Sequence, residues 1–121
     1  MPMYHSEQRQ IERARKQNPD PLVSLHPQTA AGLNVADGDW VRVVNPEGSI
    51  RVKAHLTDIL DPRMVDVHHG WWFPERKEAE PELFGVFQSN ANILCPDGSK
   101  FCSPEIGGWP HTALLCRIEK E

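Results

Sequence analysis

The stretch DGDWVRVVNPEGSIRVKAHLTD, residues 37–58, restricts the fold more than any other part of the chain. In its second half Ile50, Val52, Ala54 and Leu56 alternate with Arg51, Lys53 and His55. Successive side chains of a strand point to opposite faces, so this segment is a strand with one buried and one wet face. Pro46-Glu47-Gly48 is a turn, and before it lies a strand rich in Val and Trp that begins after a second turn at Asp37-Gly38-Asp39. Two strands with one apolar face are only marginally stable alone, so the rest of the chain must cover them. LVSLHP, residues 22–27, alternates as another strand. Pro27 with TAAGLN after it predicts one short helix, with Pro in its first turn and Gly32 or Asn34 near its end.

Punctuation organises the remainder. SEQRQIERARKQ, residues 6–17, predicts a short helix with Ser6 as N-cap and basic residues toward its far end, stopped by Asn18-Pro19-Asp20-Pro21. Residues 60–63, LDPR, turn the chain into a strand, MVDVHHGWW, which Pro74 ends. Residues 75–82, ERKEAEPE, read as a solvated loop, SNANIL as a helical turn, 96–110 as a Gly/Pro-rich loop and ALLCRIEK as a closing strand. Five or six short strands with two or three small helices suggest a compact barrel, whose closure removes exposed sheet edges.

A chain of 121 residues is one domain, long enough to bury roughly two thirds of the surface its unfolded form exposes. A net charge of −4 argues against a general nucleic-acid scaffold, which needs an excess of Lys and Arg. The exception is local: Arg9, Arg13, Arg15 and Lys16 outnumber Glu7 and Glu12 in the first residues. Cys95, Cys102 and Cys116 match no CxxC zinc pattern and are expected as reduced thiols. No stretch approaches the ~18 consecutive apolar residues of a membrane span, and no signal peptide is visible.

Three segments carry chemistry. In VDVHHGWWFPE, residues 65–75, indoles and imidazoles offer flat faces and N–H donors, and Gly70 lets a ligand ring approach the backbone; the plainer alternative is that Trp71 and Trp72 cap the core. Adjacent strand residues face opposite ways, so His68 and His69 do not easily share a metal, and no carboxylate or thiol stands at a matching spacing. YHSEQRQ, residues 4–10, gathers imidazole, hydroxyl, guanidinium and amide at a helix start and suits a phosphate or a carbonyl-rich heterocycle; an amphipathic arm without ligand is the alternative. SNAN, residues 89–92, offers amides that donate and accept at once, as a pterin or guanine edge requires; asparagine as a cap or turn former is equally open. No motif frames a nucleophile and no glycine-rich phosphate loop occurs.

MYHSEQRQI, then PLVSLHPQTAAGLNVADGDWVRVVNPEGSIRVKAHLTDILDPRMVDVHHGWWFPE, then SNANILCPD and a closing ALLCRIEK together resemble the C-terminal molybdopterin-dinucleotide-binding domain of the dimethyl sulfoxide reductase family. The nearest branch is that of thiosulfate reductase-like, formate dehydrogenase-like and acetylene hydratase-like catalytic subunits. The resemblance implies a mainly β fold with short helices, a six-stranded double-psi β-barrel over 20–121, preceded by an arm with a short helix over 1–19. It implies one domain, 1–121, from the end of a larger catalytic subunit. The expected role is to bind and position the molybdopterin guanine dinucleotide, in its bis form with molybdenum or tungsten, without catalytic residues or metal ligands of its own. Any iron–sulfur cluster belongs to other domains. The expected partners are the rest of the subunit and an electron-transfer subunit, with no nucleic acid and no membrane span. The implied compartment is the cytoplasm, or the periplasm if an export signal precedes the chain.

Carried onto this sequence, the resemblance places His5, Ser6, Arg9 and Gln10 toward pterin or phosphate. His69 and Gly70 lie beside the pterin, Trp71 and Trp72 form a wall, and Asn92 and Asn90 meet the ring edge. Cys95 departs from the Thr usual in this branch, which removes a hydroxyl contact or a turn cap there. The alternative is a free-standing double-psi barrel that binds a protein or peptide partner.

Overall fold

The computed structural model describes residues 8–110 and 113–121. The order of elements is α1 (Glu12–Gln17), β1 (Leu22–Leu25), α2 (Pro27–Gly32), β2 (Trp40–Val44), β3 (Ser49–Leu56), β4 (Val65–Val67), α3 (Val86–Ser89) and β5 (Arg117–Lys120). Short 3-10 turns lie at Leu83–Gly85, Ala91–Leu94 and Ser99–Phe101. The strands form one open mixed sheet in the order β4-β1-β3-β2-β5. The fold is thus mainly β with short helices. Five strands are found among the described residues, where six in a closed barrel were expected, and the ladder runs from β4 to β5 without joining them.

The β2–β3 hairpin is built as its alternation requires. Val43 lies opposite Ile50 and Val41 opposite Val52. These four, with Val23 and Leu25 of β1 and Ala54 of β3, are buried on one face and are covered by Ala30 of α2, Val35 and Leu94. Burial of each large aliphatic side chain stabilises by about 1.5–3 kcal/mol. On the other face Arg42 and Arg51 stand directly opposite each other, a repulsive placement. Glu121 relieves it, reaching Arg42 at 3.5 Å and Arg51 at 2.7 Å. Arg51 also lies 3.9 Å over the Trp40 ring. The turn between the strands closes on Asn45, whose side-chain oxygen accepts from the N–H groups of Glu47 at 3.0 Å and Gly48 at 3.1 Å.

Strand directions decide what meets what. β1 runs parallel to β3, while β4 runs antiparallel to β1 and β2 antiparallel to β3. The end of β4, the starts of β1 and β3, and the β2–β3 turn therefore share one end of the sheet. The turns at 36–39 and 57–61 belong to the opposite end, where the Leu56 N–H donates to Asp37 at 2.7 Å and Lys120 pairs with Asp39 at 2.7 Å.

Three elements are shorter than their sequence signals. The arm is helical only over Glu12–Gln17, with Ile11 as N-cap. The Arg15 guanidinium donates to the carbonyls of Arg9 at 2.9 Å and Gln10 at 3.1 Å, which fixes a turn there instead of another turn of helix. The expected strand over 64–72 keeps only Val65–Val67, because Gly70 adopts a left-handed φ of 63° and swings the chain out of line. β5 begins at Arg117, after Ala113 takes a φ of 58°. By contrast α2 begins at Pro27 as expected, with the His26 ring nitrogen accepting from the Gln28 N–H at 3.1 Å.

His68 extends the β4–β1 ladder by one bond, donating its N–H to the Leu22 carbonyl at 3.1 Å. Its half-buried ring stacks on Trp71 with centroids 6.0 Å apart. Burial lowers its pKa below the ordinary 6.5; Asp66 acts in the opposite direction, and His69 and His55 reinforce the fall. Below pH ~6.5 the unfolded chain takes up a proton that the folded chain resists, so stability is full above that pH and declines as pH falls. Stability from denaturant midpoints should drop between pH 7.5 and 5 more steeply for the wild type than for His68→Phe, which keeps the stack without titrating; parallel curves would refute the assignment. In the core, Ile50→Ala should cost about 2–5 kcal/mol by the same measurement, whereas Ile59→Ala, at a residue 88% exposed, should change stability by less than about 0.5 kcal/mol.

Candidate functional site

Past His68 the chain forms an aromatic tip. Trp71 is 1% exposed and meets Phe73 edge-on, with centroids 6.2 Å apart. Trp72 meets Phe84 edge-on at 5.6 Å. The Phe73 N–H donates to the Phe84 carbonyl at 2.8 Å, tying the tip to the turn at Leu83–Gly85. Gly85 is required there: its φ is 68°, and a Cβ would stand 2.8 Å from the Phe73 ring. Arg76 lies 3.9 Å over the same ring, also against Gly85, and hydrogen-bonds the Gln88 side chain. His69 is exposed while His68 is half-buried, so the neighbouring imidazoles have different surroundings.

The arm reaches the same tip. Arg9 is 1% exposed, with its guanidinium 4.1 Å over the Trp71 ring. Nε donates to the Trp72 carbonyl at 3.1 Å and Nη1 to the Asn18 carbonyl at 2.7 Å. Glu75 stands 3.8 Å from Arg9 and 3.9 Å from Arg15. Burial holds the Arg9 pKa below its ordinary value and Glu75 acts to raise it; a guanidinium stays charged regardless. Gln10 is exposed. A shallow hollow of about 250 Å³ opens here, lined by Arg9, Glu12, Arg15, Lys16, Pro19 and Glu75.

The asparagine segment sits on the β2–β3 turn. Ser89 is buried and donates its hydroxyl to the Arg51 carbonyl at 2.6 Å. Asn90 caps the following 3-10 turn, its side-chain oxygen accepting from the Asn92 N–H at 3.0 Å. Asn45 donates to the Leu94 carbonyl at 2.7 Å. A Cβ at Gly48 would stand 2.8 Å from the Ile93 side chain, so the turn and the segment pack in direct contact. Asn92 is left exposed on this support. The Cys95 thiol lies 3.8 Å from the Ala91 carbonyl, a weak contact, and burial raises its pKa.

The structure therefore brings Arg9 onto Trp71 and Trp72, with Gln10 adjoining Arg9 along the chain and His69 and Gly70 directly preceding Trp71. Asn90 and Asn92 stand at the same end of the sheet, while His5 and Ser6 lie outside the described residues. Sequence reasoning passed over Arg15, Asn45 and Arg76, which hold this end together, and Glu75 beside them; only the local excess of arginine in the arm hinted at one of them. Among the described residues no group of three or more His, Cys, Asp or Glu could hold a metal ion. The Trp71 indole N–H is buried without an acceptor among the described residues. The exposed His69 imidazole and Asn92 amide suit a flat heterocycle whose edge both donates and accepts.

Comparisons with known proteins agree. The model of the Molydopterin dinucleotide binding domain family matches residues 3–105. Dopamine dehydroxylase of Eggerthella lenta is 39% identical over 80 residues, 65% of this chain and 8% of that protein. A dimethyl sulfoxide/trimethylamine N-oxide reductase of Rhodobacter capsulatus is 32% identical over 98 residues, 79% of this chain and 11% of its own. The solved structure of acetylene hydratase from Pelobacter acetylenicus superposes with a TM-score of 0.83 at 27% identity, over 97% of this chain and 16% of its own. The chain thus spans about a tenth of the curated relatives' length, and in those enzymes the domain is part of a larger catalytic subunit. The chain belongs to the family of molydopterin dinucleotide binding domains, those of molybdenum oxidoreductases of the dimethyl sulfoxide reductase family.

Proposed function

We propose that this chain holds and positions a molybdopterin guanine dinucleotide as the closing domain of a larger catalytic subunit. The group would be the bis form with molybdenum or tungsten, and any iron–sulfur cluster would belong to other domains. One observation carries the reading: Arg9 of the arm bonds the aromatic tip, and the asparagine segment packs on β3 and the β2–β3 turn, so segments far apart along the chain stand toward one end of one sheet. In this reading the edge strands β4 and β5, three and four residues long, are the seam of a double-psi barrel.

His69 and the Gly70 backbone face the pterin, Asn92 and the capped Asn90 meet a ring edge, and Trp71 is the wall beneath. Gln10, with His5 and Ser6 before it, supplies donors for phosphate. When bound, the cofactor supplies the metal centre where the subunit's chemistry takes place. The chain's own contribution is orientation and exclusion of water.

The test uses the complete catalytic subunit carrying His69→Ala or Asn92→Ala, with bound pterin dinucleotide measured after gel filtration. Loss of one hydrogen bond to such a ligand should weaken retention by about 1–3 kcal/mol for each variant. Wild-type cofactor content in both variants would refute the assignment.

A further inference from the structure

We infer that Arg9 is a positioning residue: a buried cation that latches the N-terminal arm to the aromatic tip and so sets the backbone of His69 and Gly70, without touching the cofactor itself. The inference rests on the cofactor reading of the tip and assigns Arg9 a different task from phosphate binding. Three observations carry it. Arg9 is 1% exposed, so it presents almost no surface to a ligand. Its donors already have partners within the chain, the Trp72 carbonyl at 3.1 Å and the Asn18 carbonyl at 2.7 Å, 63 and 9 residues away. Its flat face lies 4.1 Å over Trp71, the residue immediately after Gly70.

The latch has a second stage. Arg15, in the last turn of α1, donates to the Arg9 and Gln10 carbonyls at 2.9 Å and 3.1 Å and stands 3.9 Å from Glu75. One arginine thus fixes the backbone of the other, and Glu75 lies beside both. A lysine could keep the charge, but a point ammonium cannot hold two divergent carbonyls while stacking flat on an indole. Glu75 is half-exposed and 3.8 Å away, so it tunes the site and does not hold it.

Amide hydrogen exchange on the full 121-residue chain reads the latch directly. The reporters are the tip amides of His68 and Phe73, bonded to Leu22 at 3.1 Å and Phe84 at 2.8 Å; amides of β2 and β3 are the control. Arg9→Ala and Arg9→Lys should each speed exchange at the tip by about tenfold or more, with the sheet unchanged, and Glu75→Gln should leave both at wild-type rates. Should Arg9→Ala fail to fold, Arg9→Lys carries the test. Wild-type tip exchange in Arg9→Lys, or tip and sheet loosening together in it, would overturn the inference. In the complete subunit, Arg9→Lys should also shorten retention of the pterin dinucleotide. Lost retention with an undisturbed tip would mean that Arg9 acts on the cofactor directly and would overturn the latch. A loosened tip with unchanged retention would support the latch and refute the cofactor role of the tip.

Discussion

The parallel pairing of β1 with β3 is the constraint on which the rest depends. Leu22 lies beside Lys53 and Leu25 beside Leu56, so the two strands start toward the same end of the sheet. Antiparallel β4 then delivers its last residue to the start of β1, and antiparallel β2 delivers its turn to the start of β3. Reversing either pairing would send the aromatic tip and the asparagine segment to opposite ends. The buried face makes the register hard to slip, because a shift by one residue would turn Val23, Leu25, Ile50, Val52 and Ala54 outward. A core of ordinary aliphatic residues thereby determines where the polar groups of the rim stand.

The rim is graded in exposure. Arg9 and Ser89 are buried, and Asn45 and Asn90 half-buried, with Arg9 on two carbonyls, Ser89 on Arg51, Asn45 on Leu94 and Asn90 on its own turn. His69, Asn92 and Gln10 are exposed. Such an arrangement lowers the entropy lost on binding, because the donors and acceptors are already held by a supported backbone. In the proposed reading affinity is divided among several modest contacts, and retention draws on the remainder of the subunit as well.

The hairpin, its buried face, the short helix after Pro27 and the two turns were legible because each is written in local pattern. Strand lengths were less so. MVDVHHGWW reads as one extended run, yet the left-handed Gly70 ends the ladder after His68, a conformation that sequence permits without requiring. The site was legible as composition and not as roles. Arg9 reads as a donor toward pterin or phosphate, and nothing in the arm reveals the carbonyl 63 residues away that its side chain also meets. Asn90 and Asn92 looked alike, but one caps a turn while the other stands exposed. ERKEAEPE looked wholly solvated, and most of it is; Arg76 nonetheless packs on the Phe73 ring of the tip, and Glu75 lies beside Arg9. Which side chains are taken up in long-range hydrogen bonds, as Arg9 and Ser89 are, depends on tertiary contacts. The ordered run of motifs, by contrast, made the family recognisable over nearly the whole chain.

In the proposed reading one end of the sheet meets the cofactor and the other does not. Comparing hydrogen exchange of the complete catalytic subunit with and without its pterin dinucleotide tests this most directly. Protection confined within this domain to residues 8–10, 68–73 and 89–93 is the predicted result. Protection centred on the turns at 36–39 and 57–61, with the first three segments unchanged, would contradict it.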